Sequence, residues 1–112
     1  MPVTGATSAT ATILSGTSLS GSVTVGEGVP VGIAVPPFTS AAITFQESAD
    51  NVTFYDAVDA AGAEITLGAA TTGSKFYPLP AGLTGAYLKV RSGTSAAPVN
   101  QGADRTLTLV LK

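Results

Sequence analysis

Residues 87–92 (YLKVRS) and 106–111 (TLTLVL) constrain this chain more than any other stretch. In the first, Leu88 and Val90 point one way while Tyr87, Lys89 and Arg91 point the other. In the second, Leu107, Leu109 and Leu111 alternate with Thr106, Thr108 and Val110. A period of two places each set on one face of a β-strand, and no helix accommodates it. The segment between, residues 92–104, is rich in Gly, Ser, Thr, Asn, Gln and Pro. It reads as a loop too polar for a core, and it carries no obvious catalytic group.

The same pattern recurs along the chain. Strands are predicted over residues 11–14, 20–25, 29–35, 41–47, 53–58, 64–67, 75–78, 87–92 and 106–111, with Gly, Pro, Asp or Asn signals between them. Short β-rich runs spaced by turns point to a sandwich or barrel. No run of ten residues carries an apolar stripe at helical spacing. The fold expected is all-β: a single-domain antiparallel β-sandwich, jelly-roll-like, of eight or nine short strands. It occupies residues 10–112, behind a flexible arm of residues 1–9.

Some faces can be oriented in advance. Val23 and Val25 oppose Ser22 and Thr24, and Ile43 and Phe45 oppose Thr44 and Gln46. Val31, Ile33 and Val35 share a face whose reverse is only Gly32 and Ala34. That strand is either an ordinary central strand or one covered by a partner subunit. Ser48-Ala49-Asp50-Asn51 reads as a tight hairpin, and Pro36-Pro37 ends a strand.

Composition limits the function. With 112 residues the chain forms one domain. Only 11% of residues are charged, against roughly 25% in ordinary soluble domains. A surface so neutral is poorly protected from association. Five basic residues and a net charge of −2 exclude a broad phosphate-binding footprint, so no nucleic-acid partner is expected. No run is long and apolar enough for a membrane span, and the first residues lack the pattern of a signal peptide.

The chain has neither His nor Cys, so the common general base and the strongest nucleophile are both missing. A Ser–Lys arrangement is formally open, but no spacing suggests one. Glu47, Asp50, Asp56, Asp59 and Glu64 cluster along the chain. They read as solvated charges near strand ends rather than a glycosidase pair or a calcium loop, whose acids recur every second residue. No catalysis and no cofactor are expected. Phe54-Tyr55 and Phe76-Tyr77 each place one ring inward and one outward. Tyr55, Tyr77 and Tyr87 then either finish the sheet surface or form a glycan-stacking face.

Two stretches resemble small tailed-bacteriophage virion proteins. In residues 42–67, Ile43-Thr44-Phe45-Gln46 leads into Ser48-x-Asp50-Asn51-x-Thr53-Phe54-Tyr55 and then Asp59-x-x-Gly62-x-Glu64. In residues 87–112, Lys89-x-Arg91-Ser92-Gly93-Thr94 precedes Pro98-Val99-Asn100-Gln101 and a final alternating strand. Asn51 stands where the family has Gly, a mild departure because Asn also enters the left-handed region. The resemblance implies a virion structural protein of the capsid-decoration or head-fibre type. Such a protein is made in the host cytoplasm and carried on the capsid surface as a homo-oligomer, a trimer being favoured. Its partner would be the major capsid protein or another virion component. Arg91, Thr94, Pro98, Asn100 and Gln101 form the expected assembly loop. Arg91 would pair there with an acidic patch on the partner, or with Asp104 across its own loop. The first stretch also looks like the hairpin of discoidin-type sugar-binding sandwiches, so a carbohydrate-binding module for host-surface glycans is the alternative.

Overall fold

The computed structural model describes residues 7–26, 28–71 and 73–112. The described residues form nine strands and no helix: β1 (Thr7–Ile13), β2 (Val23–Thr24), β3 (Pro30–Val35), β4 (Ala41–Ser48), β5 (Tyr55–Asp56), β6 (Thr66–Thr71), β7 (Lys75–Pro78), β8 (Tyr87–Ser92) and β9 (Arg105–Leu111). They make two antiparallel sheets, β1-β9-β3-β7 and β2-β8-β4-β5, with β6 also paired to β4. The first half of the chain pairs with the second throughout: β1 with β9, β2 with β8, β3 with β7, β4 with β5 and β6. The molecule is thus one long antiparallel ribbon, folded so that successive rungs fall in opposite sheets. This is the jelly-roll order.

Alternation explains what the ribbon buries. Ile13, Ile33, Ile43, Phe45, Leu88, Val90, Leu107 and Leu109 are fully enclosed between the sheets. Each such side chain contributes about 1.5–3 kcal/mol of hydrophobic stabilisation. With few large side chains available, the core is one layer thick.

Four expectations need correction. Thr7, Ser8 and Ala9 are not arm but paired strand, opposite Leu111, Val110 and Leu109; residues 1–6 lie outside the described residues. Val31 does not share the buried face of Ile33 and Val35. The β3–β9 register shifts between Pro30 and Gly32, and this bulge turns Val31 to solvent. The tight hairpin at residues 48–51 is a longer connection, since β4 and β5 pair as Glu47↔Tyr55 and Gln46↔Asp56. Asn51 nevertheless takes the left-handed conformation, at φ 62°.

The fourth correction concerns the loop of residues 92–104, which is in part interior. Gly93 bridges Pro98, Thr94 and Ala97 exchange backbone hydrogen bonds, and the Val99 N–H donates to Ser92 O at 2.9 Å. Gly93 has φ 91°, and a Cβ there would sit 2.5 Å from Ala97 O and 2.6 Å from Val99 N. Gly93→Ala is therefore expected to cost about 2 kcal/mol, read as a lowered urea midpoint with an unchanged slope.

Candidate functional site

The outer face of the five-stranded sheet carries the chain's main polar cluster. Thr44, mid-strand in β4, lies opposite Arg91 in β8. The alternation rule places Arg91 on this outer face, and so it is. The face, however, is covered by the chain from Asp56 to Glu64, where Val58 and Glu64 bridge and the Ile65 N–H donates to Ala57 O. Arg91 is consequently buried, at 6% exposure.

All three arms of its guanidinium are used. Nη1 meets Asp56 Oδ1 at 2.9 Å, Nη2 meets Glu64 Oε2 at 2.7 Å, and Nε donates to Thr44 Oγ1 at 2.9 Å. The Thr44 hydroxyl donates in turn to Gly93 O at 2.7 Å, and the Ser95 N–H donates to Glu64 Oε2 at 3.1 Å. A planar fork with fixed donors suits this site, and a lysine ammonium would not. The cluster joins β4, β8, the Asp56–Glu64 cover and the loop after β8. Arg91 therefore does not present itself to a partner, and it does not pair with Asp104, whose Oδ1 accepts from Ser15 N.

Gln101 is likewise interior, at 1% exposure. Its Oε1 accepts from Thr39 N and Arg105 Nε, and its Nε2 donates to Thr39 O and Ser92 Oγ. Of the expected assembly loop, Pro98 and Asn100 are exposed and Thr94 is half-buried. Asp56 and Glu64 both hold Arg91; Asp56 is solvated as expected, at 44% exposure, whereas Glu64, at 21%, is half-buried. Asp59 organises its own turn, accepting from Ala61 N and Ala63 N.

The three tyrosines do not form one face. Tyr55 and Tyr87 belong to the five-stranded sheet and Tyr77 to the other. Tyr77 packs against the core and Phe76 is exposed, the reverse of the expected assignment. The Phe76 ring lies over Gly32 on the neighbouring strand, within 2.8 Å of where a Cβ would stand, so the glycine on β3 decides which ring turns outward.

Tyr55 stands by itself at the mouth of a groove of about 540 Å³, lined by Glu47, Ala49, Tyr55, Val58, Thr84 and Gly85 among others. Tyr55 is 71% exposed and lies directly opposite Glu47, so both side chains share a face. Glu47 Oε1 accepts from Thr84 N at 2.8 Å, and both residues line the groove.

Beside the groove, Asp50 closes the connection after β4. Its Oδ1 accepts from Thr53 N, Val52 N and the Ser48 hydroxyl, and these bonds hold its carboxyl below its ordinary pKa of 3.8. A depressed folded-state pKa contributes stability above 3.8 that fades as pH falls through the lower folded value. Residues 48–54 are thus expected to loosen only in acid below that point, visible as late titration of Asp50 and simultaneous loss of Val52 and Thr53 amide protection in NMR.

Compared with protein-family models, with curated proteins and with solved structures, the chain matches none. Function must therefore be argued from the residues. Among the described residues no group of three or more acidic side chains is placed to hold a metal ion, and no helix is long and apolar enough to cross a membrane.

Proposed function

We propose that this chain is a non-enzymatic structural protein of a bacteriophage particle, carried on the capsid surface as an oligomer. One observation carries this reading beyond the sequence resemblance. The outer face of the four-stranded sheet presents Ser8, Thr10, Thr12, Thr106, Thr108, Val110, Gly32, Ala34, Phe76 and Pro78, matched across the strands by register and without a single charge. Faces of this kind suit burial against protein, because covering them strands no ion. On the opposite sheet, Asp56 and Glu64 are tied up by Arg91 within the same chain. The jelly roll serves both viral shells and lectins; that is a likeness of fold alone.

The test is co-sedimentation with particles combined with light scattering after size exclusion. An assembled protein that bands with particles supports the reading, and a monomer that never does so refutes it.

The groove beside Tyr55 favours a second reading, a module that binds host-surface glycans. An exposed phenol ring next to a carboxylate offers a stacking surface and a hydrogen-bond acceptor for a sugar. Tyr55→Ala would then abolish retention on immobilised glycans and leave the fold intact. Tyr77 and Tyr87 lie outside this groove and would leave retention unchanged.

A further inference from the structure

The two sheets present four sides at which a strand has a free edge, and three of them carry a device against pairing. β7 is short and bears Lys75 and Pro78. β2 has two residues. On the remaining side of the five-stranded sheet, β5 has two residues and carries Asp56, while the β6 pairing with β4 shifts register between Ala41 and Ile43 beside Gly68 at φ 65°. Lysine, proline, shortness and bulges are the means by which proteins blunt an edge.

β1 has none of them. Its seven residues, TSATATI, contain no charge and no proline. Its register with β9 runs unbroken from Thr7↔Leu111 to Ile13↔Arg105. Among the described residues β9 is the strand it pairs with, so alternate N–H and C=O groups along its other side face outward.

We propose that β1 pairs with β1 of a second copy of this chain, antiparallel about Thr10, joining two four-stranded sheets into one of eight. This rests on the assembly reading above and names its interface. The strand complements its own reverse. Centred on Thr10, Ser8 meets the partner's Thr12, Ala9 meets the partner's Ala11, and Thr10 meets its own copy.

Hydroxyls thus face hydroxyls on the outer surface and methyls face methyls within. Cross-strand Thr pairs of this type are favourable, and the fold already contains one, Thr12 Oγ1 to Thr106 Oγ1 at 3.1 Å. No like charges oppose each other, and no large side chain separates the backbones. The uncharged outer face continues across the joint, and the pairing closes a two-fold dimer.

Light scattering of the wild type and of Thr10→Lys tests this. Thr10 is exposed, so the lysine is tolerated in a folded monomer but sets two ammonium groups against each other on the two-fold axis. The wild type is expected at twice the chain mass of 11.0 kDa, and Thr10→Lys at the monomer mass with an unchanged far-UV spectrum. Thr10→Val is expected to stay dimeric.

Hydrogen exchange of the wild type gives an independent readout, with concentration-dependent protection within residues 8–12. Three results would overturn the edge pairing while leaving the assembly reading in place. These are a wild-type trimer, a Thr10→Lys protein that keeps the wild-type mass, and monomeric Thr10→Lys that retains wild-type protection at residues 8–12. The last would mean that the edge is protected within a single copy. A wild type that is monomeric at all concentrations and absent from particles overturns both.

Discussion

Arg91→Met is expected to destabilise the protein by about 3 kcal/mol, the low end for breaking a buried ion pair, and to lower the melting temperature by roughly 15 °C. Methionine fills the volume of the arginine stem, so the loss is electrostatic rather than a cavity. It leaves Asp56 and Glu64 without their shared cation and the Thr44 hydroxyl without its donor. Asp56 is 44% exposed and recovers hydration, which moderates the cost; Glu64, at 21%, recovers less. Adding Asp56→Asn and Glu64→Gln to Arg91→Met is expected to restore part of the loss, because two unpaired carboxylates are then removed together. An Arg91→Met protein within about 1 kcal/mol of wild type, the worth of an exposed ion pair, would show that the cover over the five-stranded sheet is held by its backbone bonds alone.

Gln101→Ala is expected to cost a similar amount, about 3 kcal/mol, by a different route. The side chain is sealed from water and its amide joins Thr39, Ser92 and Arg105. Removing it leaves the fully buried Ser92 hydroxyl without its donor, at about 1–3 kcal/mol if left unpaired, and opens a cavity, while the exposed Thr39 groups turn to water. The signature separates it from Arg91. Amide exchange should rise first at Thr39, and the loop between β8 and β9 should become sensitive to protease while the sheets persist. Uniform loss of protection across both sheets would instead show that this loop and the sandwich unfold as one unit.

The central strands are legible in the sequence because one buried face imposes a period of two, whereas the expected runs 20–25 and 53–58 shrink to Val23–Thr24 and Tyr55–Asp56. Lys75–Pro78 and Tyr87–Ser92 match the expected residues, and Ala41–Ser48 differs by one. Strand order was not legible. Alternation reports which face a residue occupies, whereas the pairing of β1 with β9 joins segments nearly a hundred residues apart, and nothing local records it. Arg91 illustrates the same limit. Its face follows from alternation but its burial does not, because what covers a face comes from elsewhere in the chain. A signal was available: an arginine in the middle of a β-rich run, in a chain so poor in charge, needs partners, and Asp56 and Glu64 were the nearby acids on neighbouring segments. The 76/77 pair failed for another reason. Two adjacent aromatics have equal claims on the core, and the choice fell to Gly32 on a different strand.

β9, the last of the nine strands, lies in the middle of its sheet, between β1 and β3. During synthesis the first strand therefore waits, unpaired, until almost the whole domain has left the ribosome. Long-range pairing of this kind makes folding slow, and it also makes it conditional. A chain interrupted before Arg105 lacks the strand that joins β1 to β3, so it offers neither a finished uncharged face nor a registered edge. Completion of the four-stranded sheet thereby waits on the last of its strands to be made.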